Sequence, residues 1–333
     1  MNRGASPLVA IVTPVYNGAK FIETAVRSVR AQSYRPLVHC VLDNASTDGT
    51  GEILARLANE PGAAPLVVHR NPETLSQSDN FNAVLKHIPP EAKYFRLLCA
   101  DDAIPEGAIA EMVRVAESTE HVVMTAGVER VNGDARPHFF PSETQIFEAS
   151  NALARILADE ARIPHVHVLY RTDVLRQGED FYSTEYNAAD IDTVLRVLSR
   201  GGRMGFVHAP VADTTHHPDS RTQTYDKEHR TWIWEKFVFI ERYGPAALSN
   251  TDFARLRKRY RRIVYRRLLW WIVSGAAAHA KRDLDRLRAR GASPNLVDFI
   301  DAVLAWPAHL YTKSVARQHE PRPWPSDSVR PAS

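Results

Sequence analysis

The stretch Leu97-Leu98-Cys99-Ala100-Asp101-Asp102 decides the fold, because an apolar segment there ends abruptly in two adjacent carboxylates. Acidic residues at the carboxyl end of a buried parallel strand point into the crevice where open α/β sheets bind their ligands. Two like charges side by side repel each other unless a cation or a proton neutralises them. A divalent ion, held by such carboxylates and by substrate phosphates, meets that need. The stretch therefore predicts a Mg²⁺ or Mn²⁺ site for a diphosphate-bearing donor; the alternative is a strand end whose acids face water.

Upstream of this stretch, apolar segments alternate with segments of helical periodicity. Strands are predicted at 8–12, 37–42, 66–68 and 94–98, with helices between them. This alternation indicates a parallel sheet with right-handed crossovers. The loop after the first strand lacks the glycine patterns of dinucleotide-binding and phosphate-binding loops. We therefore expect a metal, rather than a glycine-rich loop, to offset the charge of the phosphates.

Composition places the chain among ordinary globular proteins: 333 residues, 44% hydrophobic and a formal net charge of +3. Its two cysteines, Cys40 and Cys99, lie in apolar segments and provide no disulfide framework. The first seven residues lack the apolar core of a signal peptide. The longest apolar stretch, 268–278, is shorter than the ~20 residues of a membrane-spanning helix. We therefore expect a cytoplasmic protein without transmembrane helices.

Four motifs, each after a predicted strand, resemble the nucleotide-sugar half of family 2 glycosyltransferases. In chain order they are Thr13-Pro14-Val15-Tyr16-Asn17, Asp43-x-x-Ser46-x-Asp48-Gly49-Thr50, Asn71 and Ala100-Asp101-Asp102. The resemblance implies an α/β protein with the GT-A fold, a Rossmann-like, mostly parallel sheet flanked by helices, and a C-terminal helical extension. It implies a catalytic domain at 1–222, divided into a nucleotide-sugar half (1–110) and an acceptor half (111–222). A helical region at 223–320 and a disordered tail at 321–333 would follow.

The resemblance also assigns contacts with the nucleotide sugar. The implied residues are Thr13, Pro14, Tyr16, Asn17, Asp43, Asn71, Asp101 and Arg221. The carboxylate of Asp43 can accept the ring N–H of a uracil, and Tyr16 can pack against the base. The alternative for Asp43 is a turn residue that bonds to its own backbone.

The metal ligands implied by the resemblance are Asp102 directly, Asp101, and His217 from a His-x-x-Ser segment at 217–220. Either Arg221 or Arg171 would offset leaving-group charge. His217 could instead contact the diphosphate, and the remaining alternative is a structural histidine. The chain departs from the family pattern at two positions: Asn44 replaces an acid found in many members, and Cys99 replaces an aspartate.

The segment Glu185 to Asp192 resembles the family's acidic segment before a helix, and Asp190 falls where the base sits. Ala189 replaces a glutamate of that pattern. Displacement at a sugar's anomeric carbon requires a base for the acceptor's hydroxyl proton. Asp192 and Glu185 are reserve candidates. The alternative is that these carboxylates only stabilise the start of a helix.

The C-terminal third is basic and aromatic. Residues 255–267 carry eight Arg or Lys and no acid, with an apolar stripe of Leu256, Tyr260, Ile263 and Val264. A basic helix with an apolar face is typical of peripheral contact with an anionic membrane, predicted here at 255–273. The alternative is a helix packed on its own domain. No nucleic-acid-binding motif is present, so nucleic acid is not an expected partner.

Together these patterns predict a metal-dependent, inverting glycosyltransferase. It would move one sugar from a nucleoside-diphosphate-sugar, a UDP-sugar in our interpretation, to a hydroxyl of a glycan or lipid-linked acceptor in surface polysaccharide biosynthesis. A Gln-x-x-Arg-Trp motif, which the family's processive synthases carry, is missing from the sequence. The alternatives are a nucleotide- or glycan-binding protein without turnover and a sugar-phosphate nucleotidyltransferase.

Overall fold

The computed structural model describes residues 6–62, 64–217 and 231–306. Two compact units make up the chain. The first runs to Ala152 and resumes at Ala161, and the second contains Leu153–Glu160 together with the described residues from 231 onward.

Four parallel strands form the first half of the sheet in the first unit, in the order β3-β2-β1-β4. Their bounds are Val9–Val15 for β1, Leu37–Asp43 for β2, Leu66–Arg70 for β3 and Tyr94–Leu97 for β4. β1 is buried along its whole length, as its aliphatic sequence dictates for a strand covered on both faces.

The second half of the sheet is mixed. β8 (Leu169–Arg171) pairs antiparallel with both β4 and β5 (Val122–Val131), and β5 pairs parallel with β9 (Arg203–Thr214). β7 (Ile146–Glu148) pairs antiparallel with β9, and β6 (Asp134–Ala135) forms a hairpin with β5. The sequence predicted a mostly parallel sheet; the pairing is wholly parallel only from β3 to β4.

Helices follow the strands of this unit. They are α1 (Ile22–Arg30), α2 (Thr50–Asn59), α3 (Gln77–Leu85), α4 (Ala108–Ala116), α5 (Ala149–Leu157) and α6 (Ala189–Ser199), with a 3₁₀ turn at Thr172–Val174. α5 begins in this unit, and its residues from Leu153 onward belong to the second unit. α1 buries Ile22, Ala25, Val26 and Val29, the positions whose spacing predicted it.

The strand registers bring several carboxyl-terminal ends to one edge of the sheet. Val15 of β1 lies beside Asp43 of β2, and Val12 lies beside Leu97 of β4. Beyond β4, Ala103 forms a backbone bridge with Asp213 near the end of β9. The loops that follow β1, β2, β4 and β9 therefore meet at this edge.

Two regions differ from the sequence predictions. The sequence of 132–148 has no clear period and predicts an irregular loop, whereas the structure contains β6 and β7 there. The sequence also predicts two short strands at 204–208 and 211–215, but the structure has the single strand β9, whose register against β5 shifts beside Val128. Val128 lies opposite Pro210. Because proline has no N–H to donate, the ladder shifts there rather than ending.

The second unit is helical. Its helices are α7 (Trp232–Ala247), α8 (Asn250–Val273), α9 (Ala277–Arg288) and α10 (Leu296–Leu304). Leu256, Tyr260 and Val264, three members of the predicted stripe, are buried on α8. Among the described residues, no helix is both long and apolar enough to cross a membrane.

A buried ion pair joins α8 to α9. Arg267 Nη2 lies 2.9 Å from Asp283 Oδ2, and the Asp283 side chain is fully buried. Burial lowers the pKa of Arg267, whereas Asp283 raises it and keeps the guanidinium charged. Removing one partner of such a pair leaves the other charge buried without compensation.

We expect Asp283→Ala to lower the free energy of unfolding by about 3–5 kcal/mol. Chemical denaturation followed by tryptophan fluorescence measures this change, since all six tryptophans lie at or beyond Trp232. The matched control is Asp285→Ala, which removes an exposed ion pair with Arg288 on the same helix and should cost less than about 1 kcal/mol. Equal effects of the two substitutions would contradict the assignment.

Candidate active site

The acidic pair after β4 lies at the edge where the loops meet. Asp102 is buried, and its Oδ1 accepts a hydrogen bond of 2.9 Å from the backbone N–H of Thr215, just beyond β9. Its Oδ2 lies 3.0 Å from Nε2 of the buried His167. Both oxygens of Asp102 are thereby fixed by neighbours from distant parts of the chain.

Asp101 faces His217. Its Oδ2 lies 3.2 Å from His217 Nε2, and the imidazole stacks on Phe21 with ring centroids 4.8 Å apart. Burial and the neighbouring charge of Asp102 raise the pKa of Asp101, although the hydrogen bond with His217 partly opposes them. Charge at this position is therefore costly without a further cation.

These donors fit a hard divalent ion. Carboxylate oxygens suit both Mg²⁺ and Mn²⁺, whereas an imidazole nitrogen such as that of His217 favours Mn²⁺, because Mg²⁺ prefers oxygen ligands. Adjacent ligands in an octahedral site lie about 3 Å apart, close to the spacing of Asp101 and His217. Ligand atoms of Cys99, Asp101 and Asp102 all lie within 4.8 Å of one another. The Cys99 sulfur is a softer donor, which hard ions bind less readily than oxygen.

The loop after β1 presents Tyr16 and Asn17 at the surface. Tyr16 is 53% exposed, which leaves its ring available to a planar ligand. Asn17 adopts φ 49°, and its Oδ1 accepts a hydrogen bond from the N–H of Thr47. Asparagine tolerates this left-handed conformation better than most residues. Asn17 therefore joins the first loop to the loop after β2.

Thr13 and Pro14 lie inside the sheet rather than on that loop. Both are buried, and the Thr13 hydroxyl lies 2.9 Å from His39 Nε2. Burial, then the charge of Arg30, lowers the pKa of His39 to about 3, so its imidazole is neutral. The expected contact of these two side chains with a nucleotide is therefore corrected: they support the loop from beneath.

Asp43 is buried and already has two partners. Its Oδ1 accepts from the N–H of Ser46 at 3.0 Å, as a turn residue would, and its Oδ2 pairs with Arg70. The Arg70 side chain is half-exposed and also donates to the Ser46 carbonyl. A nucleotide base that hydrogen-bonds to Asp43 must therefore share the carboxylate with Arg70 or displace the Arg70 side chain.

Asn44, at the position of a second acid in the family pattern, anchors the chain after β3. Its side chain donates to the Leu75 carbonyl at 3.0 Å and accepts from the Leu75 N–H at 2.9 Å. Asn71 donates to Asn44 at 2.8 Å and to Asn80 at 3.1 Å. An aspartate could not donate as Asn44 does, so the amide has a structural role here.

Asp190 lies in the first turn of α6 and is partly buried. Burial raises the pKa of the Cys99 thiol, and the charges of Asp102, Asp101 and Asp190 raise it further. Asp190 also raises the pKa of Tyr170 and Tyr182, after the larger effect of burial. Its carboxylate is therefore within electrostatic reach of the segment that bears the acidic pair.

The other acids of this segment are placed differently. Asp192 is buried, with an oxygen 3.6 Å from Arg196 one turn further on, so it is closed to an acceptor. Glu185 is exposed before the helix. Arg171 lies beside Tyr94 at the amino end of β4, away from the acidic pair, which corrects its expected role. Arg221 lies outside the described residues, as does the predicted tail.

Sequence reasoning missed His167, which contacts Asp102, and Arg70, which contacts Asp43. His167 is 65 positions from Asp102, and Arg70 is 27 positions from Asp43. The one local signal is that each flanks a strand that borders the site: Arg70 ends β3, and His167 precedes β8.

Solved structures share this fold. The structure of S. aureus TarS 1-349 in complex with UDP-GlcNAc aligns with a TM-score of 0.60 and 17% identity, over 76% of this chain and 71% of that one. The mannosyltransferase PcManGT from Pyrobaculum calidifontis, in complex with GDP-Man and Mn²⁺, aligns with a TM-score of 0.56 and 18% identity, over 93% and 82%. These alignments confirm the GT-A fold that the motifs predicted.

Sequence relatives point to the same family. Glycosyltransferase GlyG of Streptococcus pneumoniae is 22% identical over 47% of this chain and 51% of its own length. The uncharacterized glycosyltransferase EpsJ of Bacillus subtilis is 21% identical over 74% and 73%. The chain thus spans about half of GlyG. A sequence model of the family Glycosyl transferase family 2 matches residues 10–178, just over half of the chain, and the chain belongs to that family.

Proposed function

We propose that this glycosyltransferase is metal-dependent and inverting, and that it moves one sugar from a UDP-sugar to a hydroxyl of a glycan or lipid-linked acceptor. The observation that carries the proposal is the pair of Asp101 and Asp102 beyond β4, whose ligand atoms lie within 4.8 Å of each other, with His217 3.2 Å from Asp101. The complexes of TarS with UDP-GlcNAc and of PcManGT with GDP-Man and Mn²⁺ support a nucleotide-sugar donor and a divalent ion. Surface polysaccharide assembly is the setting we propose.

Asp101, Asp102 and His217 would hold the ion, and Tyr16 would stack on the base. A bound divalent ion supplies electrostatic stabilisation to the departing diphosphate. Asp43 is compatible with uracil, because its carboxylate can accept the ring N–H once Arg70 shares or releases it. Asn71 would contact the donor only through its remaining hydrogen-bonding capacity, since it already bonds Asn44 and Asn80.

Transfer is a single displacement in this proposal. The acceptor oxygen bonds to the anomeric carbon while the bond between that carbon and the diphosphate oxygen breaks. The nucleoside diphosphate leaves with the electron pair, and the acceptor's proton passes to Asp190. Attack opposite the leaving group inverts the anomeric configuration.

Asp102→Asn should abolish the part of the thermal stabilisation by a UDP-sugar that depends on Mn²⁺. The amide keeps an oxygen for the Thr215 N–H but loses the charge that holds the ion. At a ligand concentration of about 100 Kd, the wild type gains about 2.7 kcal/mol. Thermal-shift measurements with and without Mn²⁺ test this, with Asp134→Asn on the exposed β5–β6 hairpin as the matched control. An unchanged shift would refute the ligand assignment.

His167→Ala should raise the Mn²⁺ concentration for half-maximal activity about 10–100-fold, because removing the partner of a metal ligand typically weakens binding by that factor. Activity titrated against Mn²⁺ provides the measurement. His167→Gln, whose amide can donate from nearly the same place, should recover part of the loss. If both variants match the wild type, His167 has no part in orienting Asp102.

Asp190→Asn should lower kcat by about 10²–10⁴-fold while leaving the thermal shift with donor unchanged, since a base acts on the acceptor. Glu185→Gln is the control and should retain wild-type kcat. A loss of kcat in Glu185→Gln, with wild-type kcat in Asp190→Asn, would assign the role of catalytic base to Glu185. Donor binding with neither hydrolysis nor transfer by the wild type would favour the alternative of a binding protein without turnover.

A further inference from the structure

The last described helix, α10, packs on α8 through one face only. Ala302 is fully buried, and its carbonyl accepts a 2.7 Å hydrogen bond from Arg266. Asp301 forms a bidentate pair with Arg262, at 2.5 and 2.7 Å. The Phe299 ring lies 6.0 Å from that of Tyr265, centroid to centroid. These contacts fix which side of α10 faces its own unit.

The opposite side of α10 is an uncovered apolar face. Its members are Leu296, Val297, Ile300, Val303 and Leu304, which are 42–74% exposed. At 3.6 residues per turn these positions fall within an arc of about 120°. A helix of a soluble domain normally turns such a stripe toward the core, whereas α10 turns it away. We call these five residues the outer face.

Cations border the outer face. The hydrogen bond with Arg262 lowers the pKa of Asp301, burial opposes it, and the charges of Arg262, Lys258 and Arg261 lower it further. Arg262 contacts Asp301 of α10 directly, and on α8 Lys258 lies one helical turn from Arg262 while Arg261 is its neighbour, so all three lie along the side of α8 that borders α10. Residues 231–306 carry fifteen lysines and arginines against seven aspartates and glutamates, whereas the whole chain has a net charge of only +3. The unit that bears the outer face is thus much more basic than the rest.

Further apolar side chains are exposed in the same unit. Trp270, Ile272 and Val273 at the end of α8 are 49–78% exposed, and Trp306 beyond α10 is 51% exposed. Tryptophan is enriched where a protein meets the headgroup layer of a bilayer. The stripe that the sequence suggested for membrane contact is different, since Leu256, Tyr260 and Val264 are buried.

We propose that the outer face of α10 docks on an anionic phospholipid surface, with Lys258 and Arg261 of α8 meeting the headgroups, since Arg262 is already paired with Asp301. Apolar side chains flanked by cations match the two layers that such a surface offers. An anionic surface supplies counter-charges for Lys258 and Arg261 as well as cover for the apolar side chains, which a second copy of this basic unit does less well. The inference is independent of the donor chemistry proposed above.

Co-sedimentation of the full chain with vesicles tests the proposal. We expect binding to phosphatidylcholine vesicles that contain phosphatidylglycerol, and at least about tenfold weaker binding without it, since each basic residue contributes about fivefold near an anionic surface. Added salt should weaken the binding because the contact is partly electrostatic.

Val297→Asp combined with Leu304→Asp should reduce partitioning at least about tenfold, because both exposed side chains lose their apolar contact with the bilayer. Val67→Asp, on the exposed edge strand β3, is the control and should bind as the wild type does. Both variants should hydrolyse a soluble donor at the wild-type rate, which separates a docking defect from a failure of the proposed function.

Two results would overturn the proposal. A wild type that remains in the supernatant with every vesicle would show that the outer face does not dock on lipid. A wild type that is dimeric without lipid, with a monomeric Val297→Asp/Leu304→Asp variant and equal vesicle binding by both, would assign the face to a second copy. Sedimentation velocity without lipid provides that comparison.

Discussion

The repulsion between two adjacent carboxylates is the constraint on which the site depends. Asp101 and Asp102 lie at the end of a central strand, where burial makes uncompensated charge costly. The fold places hydrogen-bonding partners beside both carboxylates. The Thr215 N–H and His167 contact Asp102, and His217 contacts Asp101. These partners come from segments 65 to 116 positions away along the chain, so the acidic pair is oriented only when the whole sheet has formed.

Local pattern predicted the parallel half of the sheet and the place of the acidic pair. β1, β2 and β4 are continuous apolar runs because both of their faces are covered, and such runs are visible in the sequence. The partners of the carboxylates could not be predicted, since His167 and Arg70 are set by register between strands rather than by spacing along one element. Thr13 illustrates the same limit. Its motif predicts a residue near the end of β1, but its buried contact with His39 is set by the pairing of β1 with β2.

The C-terminal unit shows that the same basic and apolar pattern is compatible with a packed helix and with a membrane-facing one. A basic segment with an apolar stripe predicts either a membrane-facing helix or a packed one, and α8 is packed. The buried Arg267–Asp283 pair holds α8 against α9. Apolar side chains remain exposed at the end of α8 and along α10, a short helix whose apolar residues gave no sign of facing outward. Side-chain pattern establishes that a helix has an apolar face, whereas neighbouring helices determine where that face points.

The central claim is that Asp101, Asp102 and His217 hold one divalent ion against the diphosphate of the donor. Anomalous scattering from a crystal of the full chain grown with Mn²⁺ and UDP tests it directly. We predict a single manganese peak in contact with Asp102 and with a phosphate oxygen of UDP. UDP bound at this edge of the sheet with no manganese peak beside the acidic pair would contradict the account.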